Sequence, residues 1–225
     1  MTTPIYKCLI NKKTTIKPIW FMRQAGRYLP EFRKIRKLNP NFVNLCLNDD
    51  LSTKITLQPI KGFDLDAAIF FSDILMVPYA LNQKVNFKKN FGPELGNFNL
   101  KKISKISELD FVNKLEPIYK SINKVKKNPL IKNKDLIGFV GAPWTILVYM
   151  LNKMSPKKGL PENFFNDSTL IDSLLVIIEK FLKLHIKNQI NAGANVIQIF
   201  DSWAGLLEIK FQNISMNQLL ILLNI

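Results

Sequence analysis

Cysteine and histidine are almost missing from this chain. Its 225 residues hold two cysteines, Cys8 and Cys46, and one histidine, His185. That is too few for a disulfide framework or a four-ligand zinc site, so no metal is expected and a reducing, cytoplasmic setting is. Long apolar runs are missing too. Stretches such as "DSLLVIIEKFL" are broken by charge before they could cross a bilayer, and "MTTPIYKCLINKK" has no apolar signal-peptide core. No membrane partner is expected. Neither GxxxxGK[ST] nor GxGxxG occurs, and "GFVGAP" is no nucleotide fingerprint. There is no fixed-period repeat and no low-complexity tract.

Acidic residues are scarce: 17 Asp and Glu stand against 32 Lys and Arg, a net charge of +15. Such an excess favours anionic partners. For the lysines a second reading stays open, because a chain also crowded with Asn, Ile and Phe carries the composition of an A/T-rich gene. The arginines stand apart. Four of them, Arg23, Arg27, Arg33 and Arg36, crowd into "PIWFMRQAGRYLPEFRKIRK".

Hydrophobic residues make up 47% and charged residues 22%, enough for a packed core. Four short apolar runs predict buried parallel strands: 17–22, 66–71, 136–140 and 195–200. Between them the spacing predicts a helix over "DDLSTKITLQPIK", capped by Asp50 or Ser52. A long helix is predicted from a Ser168 or Thr169 cap to Gly193, with His185 on its apolar side. A basic helix is predicted within 101–134, and a hairpin or extended excursion over 82–98. Strand alternating with helix predicts a parallel α/β architecture.

Ligands bind at the carboxyl ends of such strands. The residues there are Arg23, Gln24 and Arg27; Ser72 and Asp73; Gly141 to Thr145 with Tyr149; and Asp201, Ser202 and Trp203. If the strands are neighbours, these converge on one mouth with two cations, a carboxylate, hydroxyls and an aromatic ring. Structural readings stand beside the functional ones. Arg23 and Arg27 can be surface charges. Asp73 can cap a helix starting at Ile74, and Asp201 and Ser202 can be caps. Tyr149 and His185 can be core. Trp20, Phe21, Tyr28 and Phe32 read as strand and helix core rather than as a nucleic-acid stacking surface.

"MRQAGRYLPEFR" with "GFVGAPWTILVYM" resembles the signature segments of the uroporphyrinogen decarboxylase family. "FFSDIL", "FDSWAG" and the hairpin "VNFKKNFGP" resemble further family segments, in order, from about residue 4 to about residue 208. The resemblance implies a (β/α)8 TIM barrel, usually a homodimer, without metal or cofactor. It implies decarboxylation of the four acetates of uroporphyrinogen III to methyls, giving coproporphyrinogen III for haem and chlorophyll. On this resemblance Asp73 and Arg23 are catalytic. Arg23, Gln24, Ala25, Gly26, Arg27, Asp73, Tyr149 and Ser202 bind substrate.

The chain departs from the family in length. It reads as one incomplete barrel domain, residues 1–225, covering the first half to two-thirds of the barrel, with an atypical tail at 209–225. A frameshifted or truncated gene end is expected, and with it an inactive chain, since half a barrel leaves strand edges open. The alternatives are an inactive remnant and a corrinoid-related methyltransferase of the same superfamily. A nucleic-acid-binding protein would spread its arginines along a helix face, which these do not do.

Overall fold

A computed structural model describes residues 3–11, 17–88, 91–157 and 159–207. The atypical tail lies outside the described residues. The chain divides into two units. The first comprises Met1–Asp73, Glu116–Phe139 and Asn188–Gln198; the second comprises Ile74–Leu115, Val140–Lys187 and Ile199–Ile225.

The first unit opens with helices α1 (Pro4–Asn11), α2 (Pro30–Leu38), α3 (Phe42–Cys46) and α4 (Asp49–Gly62), followed by strand β1 (Ala67–Ile69). Proline at the first position and no need for an amide there start α2. Phe32 and Ile35 are its buried face, while Arg33, Lys34 and Lys37 are exposed. Asn48, not Asp50 or Ser52, caps α4: its side chain accepts from the Leu51 amide at 2.9 Å. Ser52 is buried and donates instead to the carbonyls of Leu45 and Cys46. Thr56 on α4 accepts from the Phe71 amide at 2.9 Å, and Phe71 packs edge-on against Phe32 and Phe42. The chain leaving β1 is thereby fixed two residues before Asp73.

In the second unit lie α5 (Met76–Ala80), the antiparallel hairpin of β2 (Val85–Lys88) and β3 (Gly92–Leu95), and the short α6 (Leu100–Ile103). Helix α7 (Glu108–Lys126), strand β4 (Asp135–Gly141), helix α9 (Ser168–Ala192) and strand β5 (Val196–Phe200) each run from one unit into the other; α8 (Pro143–Asn152) lies in the second. The second unit's core includes Phe111, Leu174, Ile178, Leu182 and the sole histidine. Phe111 lies 4.6 Å from Phe181, centroid to centroid, and His185 stands edge-on to Phe111. His185 is thus a core residue. Burial pushes its pKa down to about 3. The cap of α9 is Asp167, which accepts from the Leu170 amide, rather than Ser168 or Thr169. The helix ends at Gly193, whose φ of +122° only glycine adopts easily.

Strands β1, β4 and β5 form a sheet in that order. β1 pairs parallel with β4, Ala68 opposite Leu136. The Asn195 amide bonds the Leu136 carbonyl and the Ala142 amide bonds the Phe200 carbonyl, so β5 runs the same way. Three of the four expected strands therefore form. The run at 17–22 does not. Ile19, Phe21 and Met22 are more than half exposed, and among the described residues Ile19 bonds only to Asp66. An apolar run without a ladder on either side stays irregular. Phe21 and Tyr28 are likewise exposed, contrary to the core expectation, whereas Phe32 is buried.

At the start of β4, Asp135 is fully buried. It accepts from the Ile5 amide at 2.7 Å and from the Thr3 hydroxyl and the Asn195 side chain. This carboxylate ties the first helix to two strands, at the end of the sheet opposite the residues that follow the strands. No helix among the described residues is long and apolar enough to cross a membrane.

Candidate functional site

The arginine segment is a loop, residues 21–29, closed onto the first turn of α2. Gln24 is its anchor. The side chain is 2% exposed; it accepts from the Phe21 amide and donates to the Ala67 carbonyl, both at 3.0 Å. The loop is thus sewn to the first residue of β1. Tyr28 donates its hydroxyl to the Gln24 carbonyl, and its ring lies 3.7 Å from where a β-carbon on Gly26 would sit. The Leu29 amide returns to the Gly26 carbonyl at 3.0 Å, closing a tight turn around Arg27.

The four arginines divide into two kinds. Arg33 donates to the carbonyls of Arg27 at 2.8 Å and Tyr28 at 3.0 Å. Arg36 donates to the Asn39 carbonyl and lies 5.3 Å from the Phe42 ring centroid; burial lowers its pKa. Arg23 and Arg27 are exposed and have no hydrogen-bond or ion-pair partner among the described residues. Two guanidinium forks on a pinned loop can each take a carboxylate bidentately, which a lysine ammonium cannot.

Asp73 follows β1 and is half-buried. Leu75, the residue before α5, makes no side-chain cap bond of its own. The Asp73 charge reaches the buried Cys46. Burial pushes the Cys46 thiol well up, Asp73 pushes it further, and Arg36 partly offsets both. Arg27 in turn acts on Arg36. Electrostatics thus link Asp73, Cys46, Arg36 and Arg27 within the first unit. Gln24, Ala25 and Gly26 lie on the same loop.

In the second unit, Gly141 ends β4. A β-carbon there would meet Ile146 at 2.7 Å, so glycine lets α8 fold straight back on the strand. Tyr149 on α8 stands edge-on to Trp203, centroids 5.8 Å apart. The turn after β5 is held by α8. Thr145 donates to Asp201 at 2.8 Å and accepts from the Trp203 amide at 3.1 Å, and Trp144 donates to the Trp203 carbonyl at 2.9 Å. Asp201 is therefore occupied within the turn, and Ser202 beside it is exposed. Among the described residues no cluster of three His, Cys, Asp or Glu side chains is placed to hold a metal ion.

Sequence reasoning singled out Arg23, Arg27 and Asp73 and did not foresee Arg33 and Thr145 as supports of these segments. Bonds from side chain to main chain leave no spacing pattern to find.

The model of the uroporphyrinogen decarboxylase family matches residues 2–220. Uroporphyrinogen decarboxylase of Rickettsia bellii (strain RML369-C) is 47% identical over 209 residues, 92% of this chain and 60% of the relative. That of Rickettsia canadensis (strain McKiel) is 44% identical over 192 residues, 84% of this chain and 56% of the relative. The chain thus spans under two thirds of the length of these curated relatives. Among solved structures, a methyltransferase from Methanosarcina mazei superposes with a TM-score of 0.74 at 15% identity, covering 97% of this chain and 64% of the other. At that identity the likeness shows a shared fold.

Proposed function

The chain belongs to the uroporphyrinogen decarboxylase family, and from that premise we propose that it binds uroporphyrinogen III and removes the carboxyl groups of its four acetates. The observation that carries the reading is a pair of arginines, Arg23 and Arg27, without partners among the described residues, on a loop already pinned by Gln24. An octacarboxylate is the kind of ligand that such forks suit.

In the proposed reaction a proton adds to a pyrrole carbon and the ring becomes cationic. CO2 leaves, and its bonding pair neutralises the ring as an exocyclic methylene. A second proton makes the methyl and the ring proton departs, so each round consumes one proton and releases one CO2. Asp73 faces the pyrrole nitrogens and stabilises the cation. At a separation of about 4 Å and an effective dielectric of ~20 this contributes about 4 kcal/mol, or ~10³ in rate. Arg23 grips a carboxylate; a guanidinium is a poor acid, so solvent is the simpler source of the proton. Tyr149 and Ser202 hydrogen-bond substrate, and Ala25 and Gly26 admit it close to the backbone. The fold is assigned as the first part of a (β/α)8 barrel, and the assembled protein as a cytoplasmic homodimer.

Turnover tests this. Uroporphyrinogen III is supplied under reducing conditions and the oxidised products are separated by chromatography. Asp73→Asn is expected to lower the formation of hepta- to tetracarboxyl products about 10³-fold while uroporphyrin binding changes little. Near wild-type turnover by that variant would refute the role of Asp73.

A further inference from the structure

A guanidinium that binds substrate must be aimed before substrate arrives, because ordering a long side chain and its loop on binding costs affinity. Gln24 fixes the Arg23 side of the loop through Phe21 and Ala67. The Arg27 side needs a separate fixture. Gly26, just before Arg27, leaves the backbone at its most permissive, and Arg27 itself is exposed.

Arg33 supplies it. One Nη1 donates to two successive carbonyls, those of Arg27 and Tyr28, at 2.8 and 3.0 Å. Holding two consecutive carbonyls fixes the planes of the two peptides that follow Arg27. Those planes set the direction in which the Arg27 side chain leaves the loop. The support is rigid, since Arg33 sits between Phe32 and Ile35 of the same helix turn or the next, and both are buried. Its amide is also bonded to the Leu29 carbonyl at 3.1 Å. Among the described residues Arg33 has no carboxylate partner, so its positive charge remains beside Arg27. Arg36, by contrast, is turned to Asn39 and Phe42.

We propose that Arg33 is a positioning residue for the anion-binding loop: by gripping the carbonyls of Arg27 and Tyr28 it pre-aims the Arg27 guanidinium at a substrate carboxylate, without touching substrate itself. This rests on the carboxylate-binding reading of Arg27 and deepens it.

The test is a double-mutant cycle read by binding of uroporphyrin, the oxidised and fluorescent octacarboxylate. The full chain is compared with Arg33→Gln, Arg27→Gln and the double variant, with circular dichroism confirming that each is folded. Arg33→Gln is expected to weaken binding about 5- to 10-fold in the wild-type background and to have almost no effect in the Arg27→Gln background. Equal losses in both backgrounds would overturn the proposal, since a direct contact or a general structural role gives additive effects. Wild-type affinity in Arg33→Gln would overturn it as well. If Arg33→Gln does not fold, Arg33→Lys is cycled against Arg27→Gln with the same criteria. A different result, Arg27→Gln binding as tightly as wild type, sinks the carboxylate reading itself and this proposal with it. The two failures are therefore told apart by Arg27→Gln: if it loses affinity, the carboxylate reading stands and only the role of Arg33 has failed.

Discussion

His185 gives a sharp test of how the second unit's core is built, because it is the chain's one histidine. Burial against Phe111 lowers its pKa from 6.5 to about 3. In the unfolded chain it titrates near 6.5. Between these values the unfolded state binds a proton that the folded state refuses, so stability rises with pH there and is lost as pH falls below 6.5. The loss accumulates at ~1.4 kcal/mol per pH unit. From pH 7.5 to pH 5 it amounts to roughly 2 kcal/mol, and to roughly 4 kcal/mol by pH 3. The upper part of the window belongs to His185, since Asp49, which Lys124 holds below the usual range, loses its contribution only in stronger acid. Glu179, raised by burial, acts oppositely and gains on protonation. The assay is urea unfolding at half-unit steps from pH 7.5 to 5, for wild type and His185→Leu. Wild type is expected to lose roughly 2 kcal/mol more across the series than the leucine variant. Parallel pH dependence in the two proteins would refute the assignment of a neutral, buried imidazole.

Two further perturbations probe the first unit. Gly138→Ala would place a β-carbon 2.5 Å from Gln189 Oε1, and the Gln189 side chain at present both donates to and accepts from the Phe139 backbone at 3.0 and 2.9 Å. Loss of that pair plus overpacking is expected to cost roughly 2–4 kcal/mol in urea unfolding, and a change below about 0.5 kcal/mol would contradict it. Asp135→Ala strands the Ile5 amide, the Thr3 hydroxyl and the Asn195 side chain together. A cost of roughly 3 kcal/mol is expected, with hydrogen exchange quickening first in α1; unchanged protection of α1 would show that Asp135 does not hold it.

Much of the sheet was legible in the sequence. "DAAIFF" and "LIGFV" are buried on both faces as parallel strands are, and that burial is what makes a continuous apolar run. The same pattern at 17–22 misled, because an apolar run records an available surface and not the presence of a neighbour to pair with. Caps misled for another reason. Asn48, Asp49, Asp50 and Ser52 are all good capping types, as are Asp167, Ser168 and Thr169, and only backbone geometry selects one from a cluster. Short α1 carried no such signal, and it is held from a distance by Asp135.

The net charge of +15 locates no site. Its described lysines are ordinary surface groups. Lys124 pairs with Asp49 and Asp50, Lys88 with Glu94, Lys120 with Glu116 and Lys180 with Glu108, all at substantially exposed positions where a pair contributes little. Lys134 and Lys153 reach a carbonyl and an amide. The arginines of residues 23–36 carry the same formal charge per residue, yet hydrogen bonding sorts them. Arg33 and Arg36 hold the backbone, and Arg23 and Arg27 keep their donors open among the described residues. A guanidinium has five donors in a plane, so it can serve as a structural clamp or as an anion fork. The neighbouring carbonyls decide which: where two are offered in succession, as by Arg27 and Tyr28, the arginine clamps. The proposed anion site is therefore defined by which donors stay open on a pinned loop, and Arg33 contributes to it by spending its Nη1 on the loop's own carbonyls.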